Sequence, residues 1–241
     1  MSGHSKWATT KRKKAVHDAK RGQLFTKLGK LISVAARDGG GDLSSNATLR
    51  MAIDNAKSQS MPKENIERAV LRGSGAGAGI DIESVTYEAY GPGGVAILIE
   101  CLTDNKNRAL SEVKMAINKA GGNFASAGSV AYNFQRKGEI IINKNKNSLS
   151  SEELEMAIID SGAEEYETED ELILVYTNQN ELHRVKTKLE ELNIVIDSAE
   201  LTYIPNNYLD ISKEKRNQIG GLLESLDDLE DVNKVYSNAN L

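Results

Sequence analysis

The chain is poor in the residues that most compact catalytic and metal sites use. Its 241 residues include one cysteine, three histidines, one tryptophan and three prolines, and aromatics make up only 5 %. A single cysteine, Cys101, excludes an internal disulfide and a thiolate metal cluster, and its apolar neighbours Ile99 and Leu102 mark it as a buried small side chain in a reducing compartment. The histidines do not gather. His4 and His17 lie in a basic segment and His183 on a distant helical stretch with no ligand-type residue beside it, so no metal, no cofactor and no histidine acid–base chemistry are expected. No apolar run approaches the roughly 18 residues of a membrane span, and the first residues lack the apolar segment of a secretory signal. A cytoplasmic location is the expectation.

Acidic residues are also scarce at one end. Nine of the first thirty residues are basic (Lys6, Lys11, Arg12, Lys13, Lys14, Lys20, Arg21, Lys27 and Lys30), opposed only by Asp18. Residues 1–72 carry a formal +9 and the remainder −14, which together give the net −5 of the whole chain. An evenly acidic protein avoids polyanions, but a basic end on an acidic body grips and orients on them. These nine cations are the expected nucleic-acid contacts. With six of them on duplex phosphates, log affinity would fall against log salt with a slope of roughly −5. Trp7, set among the cations, offers an aromatic plane for an unpaired base, with packing onto the helical domain as the alternative. Arg50 and Lys57 share a helical face that extends the patch, although Asp54 between them suits an i,i+4 salt pair. Acids at 164–171 and 227–231 would repel phosphate and turn toward solvent or protein.

Hydrophobic spacing divides the chain. Leu24, Leu28, Leu31 and Ala35 form one apolar stripe at helical period, widened by Phe25 and Ile32 and stopped by Gly39-Gly40-Gly41. Asn46 or Ser45 caps a second helix whose inner face is Leu49, Ile53 and Ala56; Pro62 opens a third at its first position, and Gly73 closes it. Gly73-Ser74-Gly75-Ala76-Gly77-Ala78-Gly79 reads as a flexible linker with a reach of about 15 Å. A hairpin follows, 85–90 and 95–102 around Gly91-Pro92-Gly93-Gly94, then a helix at 105–120 capped by Asp104 or Asn105 and a strand at 129–134. From residue 138 the order is βαββαβ, the ferredoxin-like pattern. A last helix (213–226) and strand (232–236) are left to complete the earlier unit. The fold class is α+β: an N-terminal helical bundle followed by two ferredoxin-like α/β domains, the second inserted into the first. The expected domains are a basic arm and helical domain at 1–72, a linker at 73–79, a discontinuous α/β domain at 80–136 plus 206–241, and an inserted βαββαβ domain at 137–205. The inserted strands carry aliphatics and acids where RNA-recognition domains carry base-stacking aromatics, so that binding mode is not expected.

Three segments together resemble the YebC/PmpR family: Gly3-His4-Ser5-Lys6-Trp7, Tyr87-Glu88-Ala89-Tyr90-Gly91-Pro92-Gly93-Gly94-Val95 and Glu100-Cys101-Leu102-Thr103-Asp104-Asn105. The likeness extends through Met61-Pro62-Lys63-Glu64-Asn65-Ile66, Gly128-Ser129-Val130 and Ile204-Pro205-Asn206; Ala89 stands where that family usually has glycine, and Thr9-Thr10 departs from its arm. The resemblance implies a bacterial, cytoplasmic, three-domain monomer without enzymatic activity, a DNA-binding transcriptional regulator. Relatives that associate with the ribosome and ease elongation through proline-rich stretches supply the alternative, in which the partner is ribosomal RNA. No membrane and no small-molecule substrate are implied.

Overall fold

The computed structural model describes residues 18–75 and 82–241. Helices α1 (Asp18–Gly39), α2 (Ala47–Ser58) and α3 (Lys63–Gly73) form the bundle. Its core is Leu28, Ile32, Ala35 and Ala36 of α1 against Leu49, Ile53 and Ala56 of α2 and Ile66 and Ala69 of α3. The stripe on α1 is centred on Ile32, which is fully buried, while Leu24 and Leu31 pack only partly against the core. Gly40 takes a positive φ of 82° where α1 ends. Asn46 then ties the two helices together: its Oδ1 accepts the Leu49 N–H at 2.9 Å, and its Nδ2 donates to the carbonyls of Ala35 and Gly40, both at 2.8 Å. Pro62 sits one position earlier than its expected place, as the N-cap of α3. At the other end of α3, Gly73 lies against α1 so closely that a Cβ there would stand 2.1 Å from the Ser33 carbonyl oxygen.

The strands β1 (Glu83–Gly91) and β2 (Val95–Thr103) pair antiparallel around a tip in which Gly93 and Gly94 take positive φ. Helix α4 (Lys106–Lys119) follows, then β3 (Asn123–Ala125) beside β1. The inserted unit runs β4 (Phe134–Asn143), α5 (Ser151–Ser161), β5 (Glu165–Glu169), β6 (Leu172–Asn178), α6 (Leu182–Glu191) and β7 (Ile196–Pro205). The chain closes with β8 (Leu209–Asp210), α7 (Lys213–Asp227), β9 (Val232–Ser237) and β10 (Ala239–Asn240). The inserted sheet has strand order β5-β6-β4-β7, all antiparallel, as a ferredoxin-like unit requires. The first sheet, β3-β1-β2-β9, is also four-stranded and antiparallel, but its hairpin strands are central and its outer strand β9 arrives from the chain's end and pairs with β2. The second α/β unit is therefore inserted within the first. Val95, Ile97, Ile99 and Cys101 of β2 pack on α4 and α7, while Ala96 and Leu98 pack on the opposite side with Val130, Phe134 and Tyr236. Cys101 is wholly buried, which pushes its thiol pKa up to about 12.

One expected strand is absent. Residues 129–133 form a loop with a short 3₁₀ turn at Ala131–Asn133, and β4 begins only at Phe134. The reason is the carboxylate of Glu88, which accepts the main-chain N–H groups of Gly128 (2.6 Å), Val130 (2.6 Å) and Ala131 (3.0 Å). Amides taken up by a side chain are not available to a strand ladder.

Burial alone would raise the Glu88 pKa, but the amides of Val130, Gly128 and Ala131 outweigh it and hold the carboxyl below its ordinary value. The stability it confers is therefore present above the ordinary glutamate pKa and is lost as pH falls through the lowered value. Glu88→Gln removes the charge from this amide cluster and is expected to cost about 1.5–3 kcal/mol at neutral pH. Urea denaturation of both proteins at neutral and acid pH checks this; the difference between them should shrink in acid.

Candidate nucleic-acid interface

Of the ten residues expected to touch nucleic acid, Lys6, Trp7, Lys11, Arg12, Lys13 and Lys14 lie outside the described residues. Lys20 falls in the first turn of α1, with its side chain also outside them. The other three split. Arg21 is exposed, its guanidinium 5.6 Å from the centre of the Phe25 ring. Lys27 and Lys30 turn inward, onto the C-terminal end of α7 and the turn that leads to β9. Lys27 Nζ donates to the Asp227 carbonyl at 2.5 Å and lies 3.4 Å from its carboxylate. Lys30 Nζ donates to the Glu230 carbonyl at 3.1 Å and to Asp231 Oδ1 at 2.9 Å.

Asp231 is the centre of this contact. Its side chain is 1 % exposed and is also gripped by Arg108, whose Nε and Nη2 stand 2.9 and 2.8 Å from Oδ2. Burial would raise the Asp231 pKa, but hydrogen bonds from Lys30, Arg108 and Thr103 hold it below the ordinary aspartate value. Arg108 reaches Asp104 as well, at 2.6 Å. Asn105 caps α4 by accepting the N–H groups of Asn107 and Arg108, so the amides at this helix start are taken up by the cap.

Beside the Asp231 cluster, α1, α3 and α4 enclose an open cleft of about 670 Å³, lined by Phe25, Lys30, Arg68, Arg72, Arg108 and Glu112 among others. Arg68 and Arg72 are exposed and stand four apart on α3, hence on one face. Sequence reasoning passed over them; their i,i+4 spacing on a helix with a separate buried face was the available signal. The proposed extension through Arg50 and Lys57 fares differently. Arg50 donates to the carbonyls of Leu43 and Ser44 and approaches His183 at 3.4 Å, while Asp54 pairs with Lys186 at 3.1 Å. These contacts fasten α2 to the inserted unit. No group of three or more His, Cys, Asp or Glu placed to hold a metal occurs among the described residues, and no described helix is long and apolar enough to cross a membrane.

Two family models account for nearly the whole chain: the TACO1/YebC N-terminal domain over residues 5–76, and the TACO1/YebC second and third domain over residues 82–239. The chain belongs to the TACO1/YebC family. A relative from Parafrankia sp. (strain EAN1pec), named a "Probable transcriptional regulatory protein", is 50 % identical, with 100 % of this chain and 96 % of the relative aligned. One of the same description from Halothermothrix orenii is 44 % identical over 99 % of this chain and 94 % of its own length. The crystal structure of a conserved hypothetical protein from Aquifex aeolicus superposes with a TM-score of 0.87 at 42 % identity, covering 92 % of this chain and 91 % of that one. The TACO1/YebC family assignment thus agrees with the motifs at residues 3–7, 87–95 and 100–105. It also agrees with the helical bundle and paired α/β units.

Because Asp231 keeps Arg108 when Lys30 is lost, the two sides of their ion pair should differ in cost. Asp231→Asn leaves Lys30 and Arg108 without their buried counter-charge and is expected to destabilise by about 3–5 kcal/mol. Lys30→Met removes two charge-assisted hydrogen bonds, one of them to Asp231, and should cost less, about 1.5–3 kcal/mol. The lowered Asp231 pKa makes its contribution full above the ordinary aspartate pKa and lost as pH falls through the lowered one. Urea midpoints of both variants at neutral pH, and of the parent down to acid pH, check the order and the sign.

Proposed function

We propose that this protein is a non-enzymatic regulator of gene expression that binds nucleic acid through its basic N-terminal end. The observation that carries this reading is the segregation of charge, +9 over residues 1–72 against −14 over the rest. Non-specific affinity for nucleic acid comes almost wholly from such cations replacing condensed counterions. Arg21, Arg68 and Arg72 add exposed guanidinium groups on the bundle, two of them lining the cleft. The names of the curated relatives support a regulatory role. Glu88, Asp231 and Cys101, groups with displaced pKa values, are committed to a loop, an ion cluster and a core, which supports a role without catalysis.

Duplex DNA is the partner that fits a transcriptional regulator. The cleft favours the second reading, a ribosome-associated translation factor acting on proline-rich stretches: guanidinium groups inside a concave surface suit single strands and folded RNA better than a straight duplex.

Titration of the full-length protein with a labelled promoter duplex and a labelled ribosomal RNA fragment, over a range of salt, tests both readings. Affinity for the preferred partner should fall with log salt at a slope of roughly −5 for six duplex contacts, or about −4 for six on a single strand. Reversing the charge of Lys11, Arg12, Lys13 and Lys14 to glutamate should abolish binding at moderate salt, and replacing Arg68 and Arg72 by alanine should weaken it and flatten the slope. Tight binding by the folded charge-reversed protein would overturn the assignment. A preference for the duplex supports the transcriptional reading; a preference for ribosomal RNA with co-sedimentation on ribosomes supports the translational one.

A further inference from the structure

We propose that the acidic turn at residues 227–231 is an internal stand-in for phosphate, holding Lys27 and Lys30 until a nucleic acid displaces it. The proposal rests on the nucleic-acid reading above and goes beyond it by assigning a function to the acidic pole. Lys27 and Lys30 stand three apart on α1, side by side on the helix that leads out of the basic arm. A polyanion following the arm onto α1 meets them next. Their ammonium groups rest on an array of oxygens: the carbonyls of Asp227 and Glu230 and the carboxylates of Asp227 and Asp231. The C-terminal end of α7 adds the negative pole of its dipole. Two lysines on closely spaced anionic oxygens are in the same chemical situation as two lysines on consecutive phosphates.

The bonding around Asp231 separates a switch from simple glue. A buried carboxylate that lost its sole cation would oppose release by several kcal/mol. Asp231 would instead keep both hydrogen bonds from Arg108, at 2.9 and 2.8 Å to Oδ2, together with that from Thr103. Lys30 is thus the replaceable member of the cluster. Lys27 donates to the Asp227 carbonyl at 2.5 Å and lies 3.4 Å from an Asp227 carboxylate that is itself 17 % exposed. Exchanging these internal contacts for phosphate contacts swaps one ion pair for another. The ordinary counterion release at the other cations drives the exchange.

A lysine already neutralised from within releases no salt ion when it binds phosphate, which gives the proposal a distinctive signature. In the full-length protein, Asp227→Asn should bind a labelled DNA duplex or RNA hairpin about two- to fivefold more tightly, the worth of one partly exposed ion pair. Its salt slope should also steepen by about 0.7–0.9, one further released ion. Asp170→Asn, the same change of net charge at an exposed position in the inserted unit, should leave the slope as it was. Adding Lys27→Gln to Asp227→Asn should remove the gain. Equal affinities and slopes for Asp227→Asn and Asp170→Asn, or an Asp227→Asn gain that survives Lys27→Gln, would overturn the proposal while leaving the nucleic-acid reading standing. If the parent protein binds neither probe at low salt, the reading itself fails and the proposal with it.

Discussion

The arrangement of this protein depends on a buried carboxylate shared between two units. Asp231 lies immediately before β9 and takes Lys30 from the helical bundle and Arg108 from α4, so one side chain fastens α1 to the sheet that β9 completes. An isolated ion at that depth would be costly, and the cluster exists because hydrogen bonds from several directions meet its lone pairs. Its neighbours extend the junction. Arg37 donates to the Ile82 carbonyl, Lys27 reaches Asp227, and Lys234 pairs with Glu200 at 2.8 Å between β9 and β7. On the other side of the bundle, Asp54 with Lys186 and Asn55 with Glu200 join α2 to the inserted unit. The small helical bundle is braced by polar contacts on two flanks, joined on the second by Met51 of α2, which packs against the core of the inserted unit.

This division of labour explains why acids and bases are segregated along the chain. On the nucleic-acid reading proposed above, the basic end offers exposed cations to a polyanion, and the acidic body would keep that polyanion from spreading over the whole surface. Where the poles touch, at residues 227–231, the protein satisfies its own lysines with its own oxygens. On the proposal above, this intramolecular contact would set a threshold that a short polyanion leaves closed and a longer one, engaging more of the remaining cations, opens. Arg68 and Arg72 stand on the wall of the cleft that faces this junction.

Much of this was legible in the sequence because it depends on local periodicity. The helical spacing around Leu28 and Ile53, a cap at Ser45 or Asn46, the Gly-Pro-Gly-Gly hairpin tip and the βαββαβ order all depend on neighbours a few residues away, and each appears in the structure, with Asn46 as the cap. Even the return of the last strand to the first sheet followed from counting elements that had no partner nearby. The loop at 129–133 was misread as strand because its β-type residues are overruled by Glu88, some forty positions earlier. Lys27 and Lys30 were grouped with the arm because a charge count carries no direction. Arg68 and Arg72 were passed over because a lone pair of arginines on a helix looks like ordinary solvated surface until another helix closes a cleft beside it.

The sequence by itself determined most of the elements, the class of fold, the family and the separation of charge, since these follow from residue type and short-range spacing. Only the tertiary structure decided which cations meet solvent and which meet protein. Asp231 comes within 2.9 Å of Lys30 only because β9 must pair with β2, and that pairing is fixed by burial of the shared sheet on α4 and α7. A charge acquires its role from the dielectric and the partners around it, and both are properties of contacts between residues about 200 positions apart.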